Sequence, residues 1–137
     1  MDQKKSLLKQ TQQKLSNGEA INPINVVVES ENQGTFQTKI LIRDHEIISD
    51  QPFGFSGQNK GPKPSELVLA ALAACQETTY RIFAEDMGIH IDKIAVRLKG
   101  SQDLRGFMAL DDEIPAGFAF IEGKVFIQSE ASDEELK

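Results

Sequence analysis

The segment from Ser65 to Met87 constrains the fold more than any other part of the sequence, because it contains neither glycine nor proline and is followed directly by Gly88. It predicts one long helix, with Ser65 as its N-cap and Gly88 as its C-terminal stop. From Leu67 to Cys75 the residues are apolar on nearly every helix face, whereas the second half is amphipathic. We therefore expect the first half to be buried on most sides and the second to be half exposed.

Small residues in this helix indicate what covers it. Alanines remove side-chain bulk and let another backbone approach closely, and they occupy positions 70, 71, 73 and 74. A single chain of 137 residues offers few elements of its own for such an approach. A second copy is the natural partner, so we predict a homodimer with a large shared core.

Segments typical of strands lie on both sides of the helix. INVVVESE and GTFQTKILIRDHEIISD, with turns at NQG and at Arg43-Asp44, predict three antiparallel strands before it. IHIDKIAVRLKG and AFIEGKVFIQSE predict two more after it, separated by the irregular segment DLRGFMALDDEIPAGF. A sheet that must cover a helix gives an α+β fold.

The two ends of the chain favour helical structure. DQKKSLLKQTQQKLSNG has helix formers throughout and a stop signal at Asn17-Gly18, which predicts an N-terminal helical extension within residues 1–22. The final ASDEELK is typical of an N-cap followed by a first helical turn. The length favours one domain, which we expect to span residues 23–137.

Composition and charge exclude several classes of partner and compartment. The net charge of −6 argues against nucleic acid as a partner. The start MDQKKSLLKQTQQ lacks the apolar middle of a signal peptide, and no run of about 18 uncharged apolar residues occurs. We therefore expect a cytoplasmic protein that does not contact the membrane.

No residue pattern predicts a metal or a cofactor. The single cysteine, Cys75, excludes an internal disulfide and a cysteine-rich zinc site. His45 and His90 are isolated from each other, which favours surface roles. The acidic group Asp111, Asp112 and Glu113 lacks the spacing of a metal-binding loop, so we expect it to be solvated.

Three segments together resemble the OsmC/Ohr family, named for osmotically inducible protein C and organic hydroperoxide resistance protein. They are GPKPSELVLAALAAC, TTYRIFAEDMGIHIDKIAVRLKG and DLRGFMALDDEIPAGF, in that order, and the similarity extends from Ile24 to Lys137. The resemblance implies an OsmC-like fold, in which antiparallel sheets are wrapped around long central helices in an intertwined homodimer. It also implies that this chain lacks the usual C-terminal helix and strand.

For well-studied members the resemblance implies a thiol peroxidase reaction on organic hydroperoxides. A helix cysteine attacks the peroxide, becomes a sulfenic acid and is resolved by a second cysteine nearer the C-terminus. Cys75 matches the first of these, and the sequence contains no match for the second. A reductant would have to be an external thiol.

The groups that activate the thiol in peroxidases of this family differ in this chain. The thiolate is the nucleophile, and apolar surroundings disfavour it. Cys75 lies on the order of 15 Å from the start of its helix, so the helix dipole gives little help. The family arginine of the N-terminal hairpin has no counterpart in NQGTFQTK, and the family glutamate about ten residues before the cysteine is Ser65 here.

Other charged residues are candidates for those missing groups. Glu66 lies about half a turn away from the thiol of its own helix, so it could act only through the partner chain. Lys39, Arg43 or Arg105 of one chain could supply a positive charge to Cys75 of the other, although basic residues on strands are more often solvated.

Two functions from different classes are therefore open. The first is a thiol-dependent peroxidase in which Cys75 reduces organic hydroperoxides with an external resolving thiol. The second is a non-catalytic member of the same dimeric fold that binds a small apolar molecule, with Cys75 in the pocket lining. Four phenylalanines in glycine-rich loops are candidates for an apolar pocket rim, although scattered core packing is an equal alternative: Phe53, Phe55, Phe107 and Phe118.

Overall fold

The computed structural model describes residues 6–137 and shows a mixed α+β chain built around one long helix. The part of the predicted N-terminal extension at residues 1–5 lies outside the described residues. The elements follow one another as α1 (Leu7–Ser16), β1 (Glu29–Asn32), β2 (Thr38–Ile42), β3 (His45–Ser49), a 3₁₀ turn (Phe53–Phe55), α2 (Pro64–Met87), β4 (Lys93–Gln102), α3 (Leu104–Phe107) and β5 (Phe118–Gln128).

The strands form two antiparallel sheets, as the sequence predicts. The first has the order β1-β2-β3 and the second pairs β4 with β5. The predicted turn at Arg43-Asp44 is confirmed, since Ile42 pairs with His45 and Arg43 has a φ of 53°. The strand predicted over INVVVESE is shorter than expected, because only Glu29–Asn32 pairs with β2 while residues 24–28 lie outside the strand.

The start of α2 corrects one prediction. Ser65 is not the N-cap, because Lys63 caps the helix and Pro64 occupies its first position. Proline suits that position, since its missing N–H would have no partner there and its φ fits the helix. The side chain of Glu66 accepts a hydrogen bond from the Lys63 amide at 2.8 Å, which satisfies one free donor of the first turn. The predicted stop at Gly88 is confirmed, with a φ of 72°.

The burial expected for the first half of α2 is not found in the single chain. Among the hydrophobic side chains of residues 6–137, only Ala84 and Ile91 are buried. The reason is geometric, because β4 packs against one side of α2 and leaves the opposite side uncovered. An apolar stripe runs along that uncovered side and consists of Val68, Leu72, Cys75, Thr79 and Phe83.

The remaining helical predictions are met in part. α1 lies against the C-terminal end of α2, where Lys9 Nζ is 3.6 Å from Asp86 Oδ1. The segment DLRGFMALDDEIPAGF is largely irregular but begins with the single helical turn of α3. The predicted helical start at the C-terminus is a hydrogen-bonded turn, in which the Ser132 carbonyl accepts from the amides of Glu135 and Leu136 at 3.1 and 3.2 Å. Among the described helices, none is long and apolar enough to span a bilayer.

Candidate functional site

Cys75 lies near the middle of α2, on the stripe that faces away from β4. Its side chain is exposed in the single chain, so it does not act as a buried filler there. The hydroxyl of Thr79 donates to the Cys75 carbonyl at 2.8 Å, so this hydroxyl is engaged with the backbone of α2. The thiol is therefore accessible to a small oxidant or to a second protein surface.

Two of the predicted cations are engaged elsewhere in the chain. Lys39 Nζ is 2.8 Å from Glu46 Oε2 across β2 and β3, and this hydrogen bond and the Glu46 charge raise the pKa of Lys39. Arg105 forms a fork with Asp103, in which Nη2 and Oδ2 are 2.6 Å apart. The hydrogen bonds from Arg105 lower the pKa of Asp103 to about 2. The described chain does not bring either cation to its own Cys75.

The other two candidate partners of the thiol also have local roles. Arg43 occupies the left-handed position of the β2–β3 turn. Glu66 caps the start of α2 and lies 3.9 Å from Lys63 Nζ. These observations assign the Arg43 backbone and the Glu66 side chain to local structure.

Two polar residues beside Cys75, Gln76 and Glu77, were not predicted from the sequence to have a role at the site. Glu77 Oε1 accepts from the Val96 amide at 3.2 Å, so it fastens α2 to β4. Gln76 Oε1 is buried and has no hydrogen-bond partner within residues 6–137. Helical periodicity places Glu77 on the same face as the buried Ala84, seven residues later, and a carboxylate on such a face was the available signal.

A pocket of about 270 Å³ lies between the β1–β2 turn and the loop that follows β3. The turn is held by Asn32, whose Nδ2 donates to the carbonyls of Thr35 and Gln37 at 2.5 and 3.1 Å. The loop that follows β3 forms one wall of the pocket with Ser56, Gly57 and Gln58. The whole lining is Thr35, Phe36, Gln37, Asp50, Ser56, Gly57 and Gln58.

The four phenylalanines predicted as a pocket rim do not line this pocket. Phe53 and Phe55 lie on the 3₁₀ turn of the neighbouring loop and are 74% and 51% exposed. Phe107 is exposed on α3, while the Phe118 ring lies against Gly100 of β4. Phe36 is the aromatic residue of the lining, and its place in the β1–β2 turn was not singled out from the sequence.

Within the described residues, few side chains that could bind a metal ion lie close to one another. His90 Nε2 is 3.1 Å from Asp92 Oδ1 on the surface, and the Asp111 carboxylate accepts from the Glu113 amide at 3.0 Å within its own loop. Within residues 6–137, no three His, Cys, Asp or Glu side chains lie close enough together to hold a metal ion.

Comparison with known families gives one match. The sequence profile of the OsmC-like protein family matches residues 57–137, which is more than half of the chain and includes Cys75. No curated protein sequence shows significant similarity to the chain.

Comparison with solved structures gives the same fold. An OsmC-like protein from Mycoplasma pneumoniae has a TM-score of 0.72 at 21% identity, covering 83% of this chain and 76% of that chain. An organic hydroperoxide resistance protein OsmC from Legionella pneumophila has a TM-score of 0.59 at 16% identity, covering 83% and 78%. An organic hydroperoxide resistance protein from Vibrio cholerae, with captopril bound in one of its active sites, has a TM-score of 0.55 at 13% identity, covering 84% and 74%.

Proposed function

The chain belongs to the OsmC-like protein family, and from this premise we propose that it is a thiol-dependent peroxidase that reduces organic hydroperoxides through Cys75. The observation that carries the proposal is the position of the Cys75 thiol, which lies on the uncovered face of α2 within the segment that matches the family. The hydroperoxide resistance proteins among the structural neighbours support the reaction class by analogy of fold.

The proposed reaction divides into an oxidation and a reduction. The Cys75 thiolate attacks the terminal oxygen of the hydroperoxide, the O–O bond breaks, and the alkoxide leaves and takes up a proton to become the alcohol. Cys75 is then a sulfenic acid. One external thiol attacks its sulfur and releases water, and a second external thiol breaks the resulting mixed disulfide and restores the Cys75 thiol. The sum consumes one hydroperoxide and two thiols and yields an alcohol, water and a disulfide.

The proposal includes a homodimer in the cytoplasm. The apolar stripe of α2 is exposed in the single chain, where Val68 and Phe83 are 56% and 52% exposed, and a second copy would cover it. Residues 23–137 would form the shared domain, with residues 1–22 as an extension. Cys75 would then lie at the interface, and a cation near it would come from the other chain.

A second candidate is a binding protein without turnover. The ion pairs that occupy Lys39 and Arg105 favour it, because a thiol without a neighbouring cation forms thiolate less readily. In this case a small apolar molecule would occupy the dimer interface, and Cys75 would line its site.

Peroxide consumption with a matched control distinguishes the two candidates. We expect the wild-type protein to consume cumene hydroperoxide in the presence of a dithiol, and Cys75→Ser to lose this activity. Ala74→Ser places the same hydroxyl on the adjacent residue while keeping the thiol, so it should remain active. Equal consumption by wild type and Cys75→Ser would contradict the peroxidase. Absence of consumption by the wild type, together with saturable binding of an apolar fluorophore, would support the binding protein.

A further inference from the structure

The loop between β3 and α2 is organised around one buried carboxylate. Asp50 is 2% exposed, which makes it the most completely buried charged residue of the described chain. Its oxygens accept hydrogen bonds from three backbone amides, those of Gln51 at 2.7 Å and of Gln58 and Lys60 at 3.1 Å each. A single side chain therefore connects the beginning of the loop to a segment about ten residues later.

The base of the same loop is closed by backbone groups. The Asp50 amide donates to the Pro62 carbonyl at 3.1 Å, and the Ser49 hydroxyl donates to that carbonyl at 2.9 Å. Two glycines permit the close approach, since a Cβ on Gly57 would lie 1.8 Å from the Gln51 carbonyl oxygen and one on Gly61 would lie 1.9 Å from that of Ile48. The segment 51–62 is thus a closed loop whose ends meet and whose interior is filled by the Asp50 carboxylate.

The charge of Asp50 is compensated within the loop. Burial raises the pKa of Asp50, but the amide hydrogen bonds from Lys60, Gln51 and Gln58 and the charge of Lys60 lower it, so the pKa lies below its ordinary value. Within the described chain, Lys60 is the charged side chain that acts on this carboxylate. The carboxylate therefore stays ionised at neutral pH and keeps its three amide partners.

The loop that is bonded to Asp50 forms one wall of the pocket. Gln58, which is bonded to the carboxylate, lines the pocket together with its neighbours Ser56 and Gly57. The opposite wall is the β1–β2 turn with the ring of Phe36. Among the described residues of this lining, none is cationic, and the one anionic group already accepts three backbone hydrogen bonds. The remaining groups are an aromatic ring, hydroxyls and side-chain amides, which suit an uncharged ligand.

We infer that Asp50 is a positioning residue that holds one wall of a pocket for an uncharged organic molecule. The inference does not depend on the proposed function, because Cys75 is not among the residues that line this pocket. Organic molecules that carry a carboxylate would find no cation in the lining and would bind less well.

Amide chemical shifts measured by NMR test the inference without requiring peroxidase activity. The probes are cumyl alcohol, which is neutral and unreactive, and 4-isopropylbenzoate, which is anionic and of similar size. We expect cumyl alcohol to shift the amides of Gln37 and Gln58 in the wild-type protein, and 4-isopropylbenzoate to shift them much less. Equal shifts with both probes, or shifts confined to other regions, would overturn the assignment of the pocket.

The role of Asp50 is tested with Asp50→Asn and a matched control, Ser49→Ala. Asn presents an NH₂ group in place of one carboxylate oxygen, so we expect amide exchange to become about tenfold faster or more, either at Gln51 or at Gln58 and Lys60, which share the other oxygen. Binding of cumyl alcohol should weaken in Asp50→Asn. Ser49→Ala removes a hydrogen bond at the loop base but keeps the carboxylate, so it should preserve both properties. Unchanged exchange and binding in Asp50→Asn would refute the positioning role.

A titration of the wild type covers the case in which Asp50→Asn does not fold. The amide signals of Gln51, Gln58 and Lys60 should stay constant at neutral pH and change together only in acid, as the depressed pKa of Asp50 is approached. Independent titration of the three signals would contradict a shared carboxylate. If the wild type consumes no hydroperoxide but the shifts and the titration behave as expected, the proposed function fails while the role of Asp50 stands.

Discussion

The carboxylate of Glu77 and the backbone amide of Val96 are joined by a hydrogen bond of 3.2 Å, which links α2 to β4 two residues after Cys75. The bond holds the Glu77 side of α2 toward β4, which restricts the rotation of α2 about its axis. That rotation decides which side chains face away from the sheet, and Cys75 is one of them.

Removal of this link should destabilise the fold. We expect Glu77→Ala to lower the free energy of unfolding by about 1–2 kcal/mol, because the Val96 amide loses a charged acceptor in a partly buried place. Glu77→Gln keeps an acceptor and should cost less. Urea denaturation measures both, with Thr78→Ala on the exposed side of α2 as the control. Equal stability of Glu77→Ala and the wild type would show that the bond is not a structural link.

The apolar stripe of α2 predicts the oligomeric state. We expect sedimentation to show a dimer at low micromolar concentration, because exposed apolar surface of this extent marks an interface. Leu72→Glu places a charge in the stripe and should give monomer or unfolded chain, whereas Gln12→Glu adds the same charge to the exposed side of α1 and should not. A well-folded wild-type monomer would contradict this prediction.

The single thiol predicts the stoichiometry of peroxide consumption. Without an external thiol, we expect the reaction to stop after about one hydroperoxide per chain, because Cys75 is the only cysteine and no second one can release the sulfenic acid. Addition of a dithiol should restore turnover. We also expect the first oxidation to be slower than in a peroxidase with an arginine beside its cysteine. Stopped-flow measurement of peroxide and of trapped sulfenic acid tests both points, and many turnovers without added thiol would refute the first.

The pair formed by Asp103 and Arg105 predicts a resistance to acid. Hydrogen bonds from Arg105 hold the pKa of Asp103 at about 2, below its ordinary value near 3.9. The stabilisation by this group is therefore complete above the ordinary pKa and is lost as pH falls through the lower one. We expect the difference in unfolding free energy between wild type and Asp103→Asn to be constant above about pH 5 and to shrink between about pH 4 and 2.

Chemical denaturation across this pH range checks that prediction. Asp111→Asn provides the control, because the Asp111 carboxylate accepts from the amide two residues later, as the Asp103 carboxylate does, but the residue at that position, Glu113, is not a cation. If the difference in unfolding free energy between wild type and Asp103→Asn instead grew as the pH fell, the prediction would be wrong, because a carboxylate with a lowered pKa loses its stabilising effect in acid.

The elements that depend on neighbouring residues could be predicted from the sequence. Gly88 ends α2 because the left-handed conformation suits glycine, and Arg43-Asp44 forms the expected two-residue turn. The N-cap was wrongly predicted at Ser65 because the preference of Pro64 for the first helical position outweighs that of serine for the cap.

The features that depend on distant residues could not be predicted. Asp50 is bonded to the amides of Gln58 and Lys60, and no periodic pattern connects a carboxylate with backbone groups across an irregular loop. The pocket has the same origin, since its two walls come from the β1–β2 turn and from this loop. For Cys75, helical periodicity indicates which residues share its face, but no residue pattern specifies what covers that face.

The uncovered stripe of α2 also bears on the biosynthesis of the protein. A newly made chain that has folded its own sheets still displays Leu72, Phe83 and the Cys75 thiol to its surroundings. Until this surface is covered, the chain is exposed to aggregation and to oxidation at a single position. In the proposed dimer a second copy covers this surface, so the yield of intact protein in a cell should depend on the rate of synthesis and on the chaperones present, since both determine how long each chain stays alone.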